Sequence, residues 1–355
     1  MGTTSADLSA LAGYAGQYDT TLITNAVNGM DFRHPSLFFR SGVKTKLTLS
    51  KLLVNGQIKP YTGDFIPEAG DLAYVPRVLS SGKFQRDILE NPDDYKDTFM
   101  QTKMDSSSAN NKRVPFAEFF WNTILASNMA QVNDSVAYFG VGAAAFSAYN
   151  AGTAYTGGTS RIIFNNGTQN HYYKCITTTT AGQSPLTHPA KWKMVDHEAI
   201  CVGLGSQIAT DIANIKVVTT GSLDNTTTYA AALAMYRSLS EPIKNKGAVI
   251  YLSPTDYDNL VDNIEGTSKY TKMLDGVSVL PKTDGKCEIV KASWMAGSRR
   301  LIASAKQNLG SMVDLDTDAS SISLIPDVYK MKAGLSATIG FGIRDLSAMS
   351  VSDQA

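Results

Sequence analysis

An α+β fold is expected from three observations. The stretch Pro115 to Phe139 has helical character, with apolar residues recurring on one face. From Tyr329 to Ile343 apolar and small or polar residues alternate strictly, as in a long strand. Residues 141–198, dense in aromatics, Thr and Pro, interrupt sequence that otherwise mixes helix and strand patterns. At 355 residues the chain exceeds the size at which one core usually stops growing, so two or three sub-domains are expected. An apolar content of 43% is ample for them.

Taken in order, residues 1–40 lack sustained periodicity and read as an N-terminal arm. Residues 41–113 read as strand followed by a long loop region. Val43 to Val54 is a strand leading to the turn Asn55-Gly56. Residues 57–113 are polar and turn-rich, with charges of alternating sign from Lys83 to Arg113 and a loop tip at Ser106 to Asn111. That is too long for an ordinary connection, and a projecting hairpin that touches another molecule fits it. Residues 114–140 read as one long helix, a strut. Pro115 suits its first position and Gly140 its stop, and Leu125, Met129, Val132, Val136 and Phe139 fall on one face. At 1.5 Å per residue it would span about 37 Å. Phe116, Phe119, Phe120 and Trp121 are expected to pack a core.

Residues 141–198 read as a small β-rich insertion domain on a larger scaffold. Insertions of this kind are tolerated where they face solvent. A Gly/Ala/Thr-rich lead, Val141 to Thr159, precedes short strand-like runs at Arg161 to Phe164 and Tyr172 to Thr178. Residues 199–305 resume mixed patterning. They include a helix at Tyr229 to Ser240, a stop at Gly247, and a buried strand at Ala248 to Leu252. Ser253-Pro254 then provides a cap and first-turn proline for a helix to about Asp262. Residues 306–355 return as strands. The last long one, to Ile343, is expected to bury a single face.

Composition excludes several roles. Lys plus Arg and Asp plus Glu are both 32, and a sequence-independent nucleic-acid binder would be basic. Cys175, Cys201 and Cys287 are too few and too scattered for a disulfide framework, which fits a reducing compartment. Met1 to Ser5 shows no basic region followed by an apolar run, so no secretory leader is expected, and no run of about 18 apolar residues predicts a membrane span. Gly203-Leu204-Gly205 begins like a dinucleotide fingerprint, but Ile208 stands at the third glycine; Gly140-Val141-Gly142 follows a helix instead of a strand. Asp314 to Asp318 opens like a calcium loop but has Ala319 and Ile325 where Gly and Glu are needed. His171, His188, His197 and Cys175 match no zinc spacing. With no nucleophile-elbow context either, no catalytic residue, cofactor or metal is expected, and the chain is not expected to be an enzyme.

The order of parts resembles the major capsid proteins of tailed bacteriophages, the HK97-like fold. The expected correspondence is an arm (1–40), peripheral strands and an extended loop (41–113, the loop itself about 57–113), a spine helix (114–140), an axial domain (199–305) and returning peripheral strands (306–355). The ending Met331 to Asp345 is similar to the ending of many such proteins. The resemblance implies a virion shell protein, assembled in the host bacterial cytoplasm as hexamers and pentamers. It would enclose double-stranded DNA non-specifically, with scaffolding, portal and accessory capsid proteins as partners and no membrane. Within the insertion, Tyr173-Lys174-Cys175, Gly182-Gln183-Ser184-Pro185 and Pro189-Ala190-Lys191-Trp192 resemble carbohydrate-binding modules of chitinases and phage structural proteins. That resemblance implies stacking of sugar rings on Tyr173 and Trp192, with Tyr172 and Tyr155 as further candidates. The competing reading makes these aromatics the mini-core of a module too small to spare them. Two alternatives remain for the whole chain. One is an encapsulin-like compartment shell. The other is a carbohydrate-active enzyme carrying a sugar-binding module, which would need paired catalytic carboxylates.

Overall fold

A computed structural model describes residues 32, 34–54, 58, 72–90, 123–266, 278–314, 322–326 and 331–354. The Asn55-Gly56 turn, the loop tip at 106–111, the aromatic cluster at 116–121 and the calcium-like loop after Asp314 lie outside the described residues. Four strands come first: β1 (Phe38–Arg40), β2 (Lys46–Val54), β3 (Leu72–Ser80) and β4 (Gly82–Glu90). After a helix come β5 (Ser147–Ala148), β6 (Arg161–Asn165), β7 (Asn170–Cys175) and β8 (Trp192–Met194). The rest are β9 (Lys216–Val218), β10 (Ala248–Leu252), β11 (Cys287–Lys291), β12 (Ile302–Ala305), β13 (Leu309–Asp314), β14 (Ile322–Pro326), β15 (Met331–Ile343) and β16 (Met349–Ser352). The fold is α+β.

The strands form four sheets among the described residues. One is five-stranded, in the order β11-β10-β12-β16-β9. Strand β10, flanked by β11 and β12, is buried along its whole length. Val249 and Tyr251 face one core, with Met129, Val132, Trp294 and Phe341. Ala248, Ile250 and Leu252 face another, with Ala232 and Met235 of the helix Thr228–Ser238 and Leu260 and Ile264 of the helix Pro254–Gly266. A strand covered on both sides carries an unbroken apolar run, as Ala248 to Leu252 does. Ser253 caps the second helix, its hydroxyl accepting from the Asp256 N–H at 3.2 Å.

The second five-stranded sheet is built on β15, with β13 and β14 along one edge and β4 along the other. The pairing of β4 with β15 runs from Gly82↔Ile339 to Glu90↔Met331. Residues 57–113 are therefore not one polar loop. Leu72–Ser80 and Gly82–Glu90 are nine-residue strands, the first pairing with β2 and the second completing the β15 sheet. Nor does β15 bury a single face: residues 338–343 are all buried. The end of β3 lies across that strand. A Cβ on Gly342 would stand 2.6 Å from Leu79 Cδ1, and one on Gly340 2.9 Å from the Ser80 carbonyl, so these glycines make the seat.

The first residues in view are not a free arm. Phe32 is fully buried, its ring 5.1 Å from Trp294 and 4.8 Å from Phe341. Strand β1 runs parallel to β13, and the Tyr251 hydroxyl donates to the Ser36 carbonyl at 3.1 Å. The spine is α-helical over 123–131 and continues as a π-helical turn, Val132–Val136, before Phe139 is reached. The wider turn brings Val132, Val136 and Ala137 all into the core, whereas Phe139 is only partly buried. Among the described residues no helix is long and apolar enough to cross a membrane.

Candidate assembly ribbon and inserted module

Strands β2 and β3 form a sheet of their own, a two-stranded antiparallel ribbon. Register separates its faces, because directly opposed residues share a side. On one side, Leu47 and Leu49 lie with buried Leu79 against Phe38, Val43 and Met312. Polar ties hold the same side to the body. Lys51 Nζ donates to Asp345 Oδ2 at 2.6 Å and to Ser347 Oγ at 2.7 Å. Arg77 donates from Nε to the Ile343 carbonyl at 2.7 Å and pairs with Asp211 at 2.8 Å. Burial pushes the Asp345 carboxyl up, but the bonds from Lys51 and Ser347 outweigh it and hold the group below its ordinary value.

The other side of the ribbon carries Leu52, Val54, Leu72, Tyr74 and Val78, all exposed; Tyr74 is 72% open and Val54 68%. Nothing in the described chain covers them. Pro76, opposite Ser50, cannot donate to a further strand, so it marks the ribbon as an edge. Sequence reading missed this face. The signal was there in Leu72-Ala73-Tyr74-Val75, a β-branched and aromatic run inside a region otherwise dominated by charge.

The second candidate is the sheet β5-β6-β7-β8. Its chain leaves and rejoins the body at a neck. Val141 and Val202 form a bridge, and the N–H groups of Val141 and Gly142 both donate to the Glu198 carbonyl, at 2.8 and 3.0 Å. The N–H groups of Leu204 and Gly205 donate to the carbonyls of Ala137 and Tyr138 at 2.8 and 3.0 Å. The glycines of the dinucleotide look-alike therefore let two backbone segments cross. A Cβ on Gly203 would sit 2.5 Å from the Val136 carbonyl, and the N–H groups a phosphate would need are already bonded.

The predicted sugar-stacking residues divide into two pairs. Trp192 is 5% exposed and Tyr155 8%, their rings 5.3 Å apart edge to face in a mini-core with Ile162 and Cys175. The Trp192 indole N–H donates to the Gln183 carbonyl at 3.1 Å, and the Tyr155 hydroxyl to the Asn150 carbonyl at 3.2 Å. Both rings are committed to holding the module together. Tyr172 and Tyr173 are partly exposed and lie on opposite faces of β7. Tyr172 packs on Phe146 at 4.9 Å, and Tyr173 faces Phe164 and His171. The structure does not bring the four aromatics onto one open platform.

Among the described residues the histidine and cysteine side chains are bonded or at least partly buried. His171 Nδ1 lies 2.7 Å from Asp196 Oδ2, His188 beside Thr187 at 3.0 Å, and burial holds His197 below its ordinary pKa. Among the described residues no group of three or more His, Cys, Asp or Glu is placed to hold a metal. All three cysteines are free and buried, and burial pushes the Cys201 and Cys287 thiols up to about 12.

No protein-family model and no curated protein sequence matches this chain. Solved structures similar to it include a chain of the satellite phage P4 procapsid, 10% identical, with a TM-score of 0.47 over 94% of this chain and 89% of that one. A virus-like particle from Pyrococcus furiosus is 10% identical, with a TM-score of 0.42 over 94% and 96%. The capsid of the Myoviridae phage XM1 is 11% identical, with a TM-score of 0.44 over 91% of each chain.

Proposed function

We propose that this chain is a structural shell protein. Many copies tile a closed HK97-like capsid, as hexamers and pentamers, around double-stranded DNA that they enclose without reading. The observation that carries the reading is the outward apolar side of the β2–β3 ribbon. A two-stranded ribbon is marginal on its own, and its base is pinned to the body on one side only. The opposite side holds Leu52, Val54, Leu72, Tyr74 and Val78 in water, and a contiguous apolar face of this kind marks an interaction surface.

The occupant we assign is a second copy. The ion pairs at Lys51 and Arg77 tie the ribbon to the body part-way along its length, so each copy presents it alike, which repeated contacts in a symmetric assembly require. A net charge of zero leaves little repulsion against dense packing. In this reading the protein acts in the virion, after assembly in the bacterial cytoplasm with scaffolding, portal and accessory proteins. The module at 141–198 faces outward and braces neighbours. Glycan stacking would rest on Tyr173 and Tyr172 alone, since Trp192 and Tyr155 are core, so bracing is the role we adopt.

Light scattering across a concentration series tests the proposal. Masses rising in steps of five or six copies, then to a uniform large particle, are expected. A monomer at every concentration, with or without scaffolding protein, overturns it. Particles enclosing enzymes instead of nucleic acid would favour the compartment alternative.

A further inference from the structure

We propose that the inserted module docks on a second copy of this chain through a cationic row, Arg161, Lys174 and Lys193. Its seat is the acidic stripe Asp258, Asp262 and Glu265 on the neighbour's helix Pro254–Gly266. The inference rests on the shell reading and names the surface that the module braces.

The row follows from register. Arg161 is directly opposite Lys174, and Lys174 directly opposite Lys193, so the three lie side by side on one face of β6, β7 and β8. Like charges directly opposed across strands destabilise a sheet. Arg161 has partial relief from Glu198 at 3.6 Å. Lys174 and Lys193 form no ion pair among the described residues. Elsewhere on this face Ile163 and Tyr172 are covered by Phe146 and Val195; in the row itself Lys193 is exposed, Lys174 partly exposed and Arg161 23% open, beside exposed Ile176. A small module thus keeps a local repulsion that an acidic partner would relieve.

The acidic stripe has the matching shape. Asp258, Asp262 and Glu265 are at i, i+4 and i+7, hence on one helix face, and all are exposed, while Leu260 and Ile264 bury the other side. Asp258 pairs with Lys291 at 2.9 Å; Asp262 and Glu265 form no ion pair among the described residues. Seven helical residues rise about 10.5 Å. Two strand-to-strand steps span about 9.5 Å. The three anions and three cations therefore fall in step, each set fixed by regular backbone. Opposed charges of matching spacing set register between copies.

The test is zero-length carbodiimide coupling of the full chain under assembling conditions. Light and heavy isotope-labelled copies are mixed and the products read by mass spectrometry. Mixed-isotope links from Lys174 or Lys193 to Asp262 or Glu265 are expected. The Lys174→Glu/Lys193→Glu variant should need about tenfold more protein to assemble at low salt. The difference should vanish near 1 M salt, where screening acts within about 3 Å. Mixing with an Asp262→Lys/Glu265→Lys variant should restore assembly. The milder Lys174→Gln/Lys193→Gln variant keeps the readout available if charge reversal unfolds the module. Assembly at wild-type concentration with no such links overturns this inference and leaves the shell reading standing. Unchanged assembly, with heparin binding lost in the variant, also overturns it and makes an external polyanion the occupant. A wild-type monomer at all concentrations removes both.

Discussion

Replacing Tyr74 and Leu52 together by serine should abolish assembly while leaving the folded subunit almost as stable as before. The two side chains face each other across the ribbon on its outward side, Tyr74 72% and Leu52 47% open. Complete burial of a large apolar side chain is worth about 1.5–3 kcal/mol. Scaled by the open fractions, covering this pair on a neighbour contributes about 2–4 kcal/mol per docked ribbon. At 1.4 kcal/mol per decade, the double variant should need roughly 30- to 700-fold more protein to assemble. The subunit itself loses only a cross-strand pair, at most about 1 kcal/mol. Sedimentation velocity reads the assembly and a thermal melt reads the subunit. Wild-type assembly by the double variant would refute the reasoning, because the outward face would then carry no intersubunit contact. A large fall in the melting temperature would show that the two side chains belong to the subunit's own core.

Four further outcomes follow from the same geometry. Trp192→Ala should cost the module about 3–5 kcal/mol, so hydrogen exchange should lose protection across β6–β8 and keep it in β10. Gly310→Ala should release the segment around β1, because a Cβ there collides with the Phe38 carbonyl; faster proteolysis near residues 32–40 is the readout. The Asp345 carboxyl lies below its ordinary value, so its bond with Lys51 adds stability above the unfolded carboxyl pKa of about 3.9, and that stability is lost as pH falls through the folded value. The half-exposed pair is worth no more than about 1 kcal/mol, and the melting-temperature gap between wild type and Lys51→Met should close on acidification. Cys201 and Cys287, with thiols at about 12, should resist a thiol reagent at pH 8 until the protein is unfolded.

Elements with a single dominant pattern were legible in the sequence. The run Ala248 to Leu252 could only be a buried strand, and Ser253-Pro254 marked the helix that follows it. The alternation up to Ile343 marked β15, but its two-sided burial depends on Leu79 and Ser80 arriving from a distant strand, which local patterning cannot show. Strands β3 and β4 were hidden because their charges and exposed residues mimic a loop; β4 is specified by its pairing with β15. The π-turn at Val132–Val136 has no sequence signature, since it answers packing around Val136 and Ala137. In the module, Tyr173 and Trp192 resembled a sugar-binding pair. A four-stranded sheet this small needs Trp192 and Tyr155 for its own core, and only the fold reveals which rings are left open.

Electron microscopy of the concentrated wild-type protein tests the central claim most directly. Closed shells of uniform size, or rings of five and six copies, are the predicted result. Single particles of subunit size at every concentration, with scaffolding protein supplied, would contradict it.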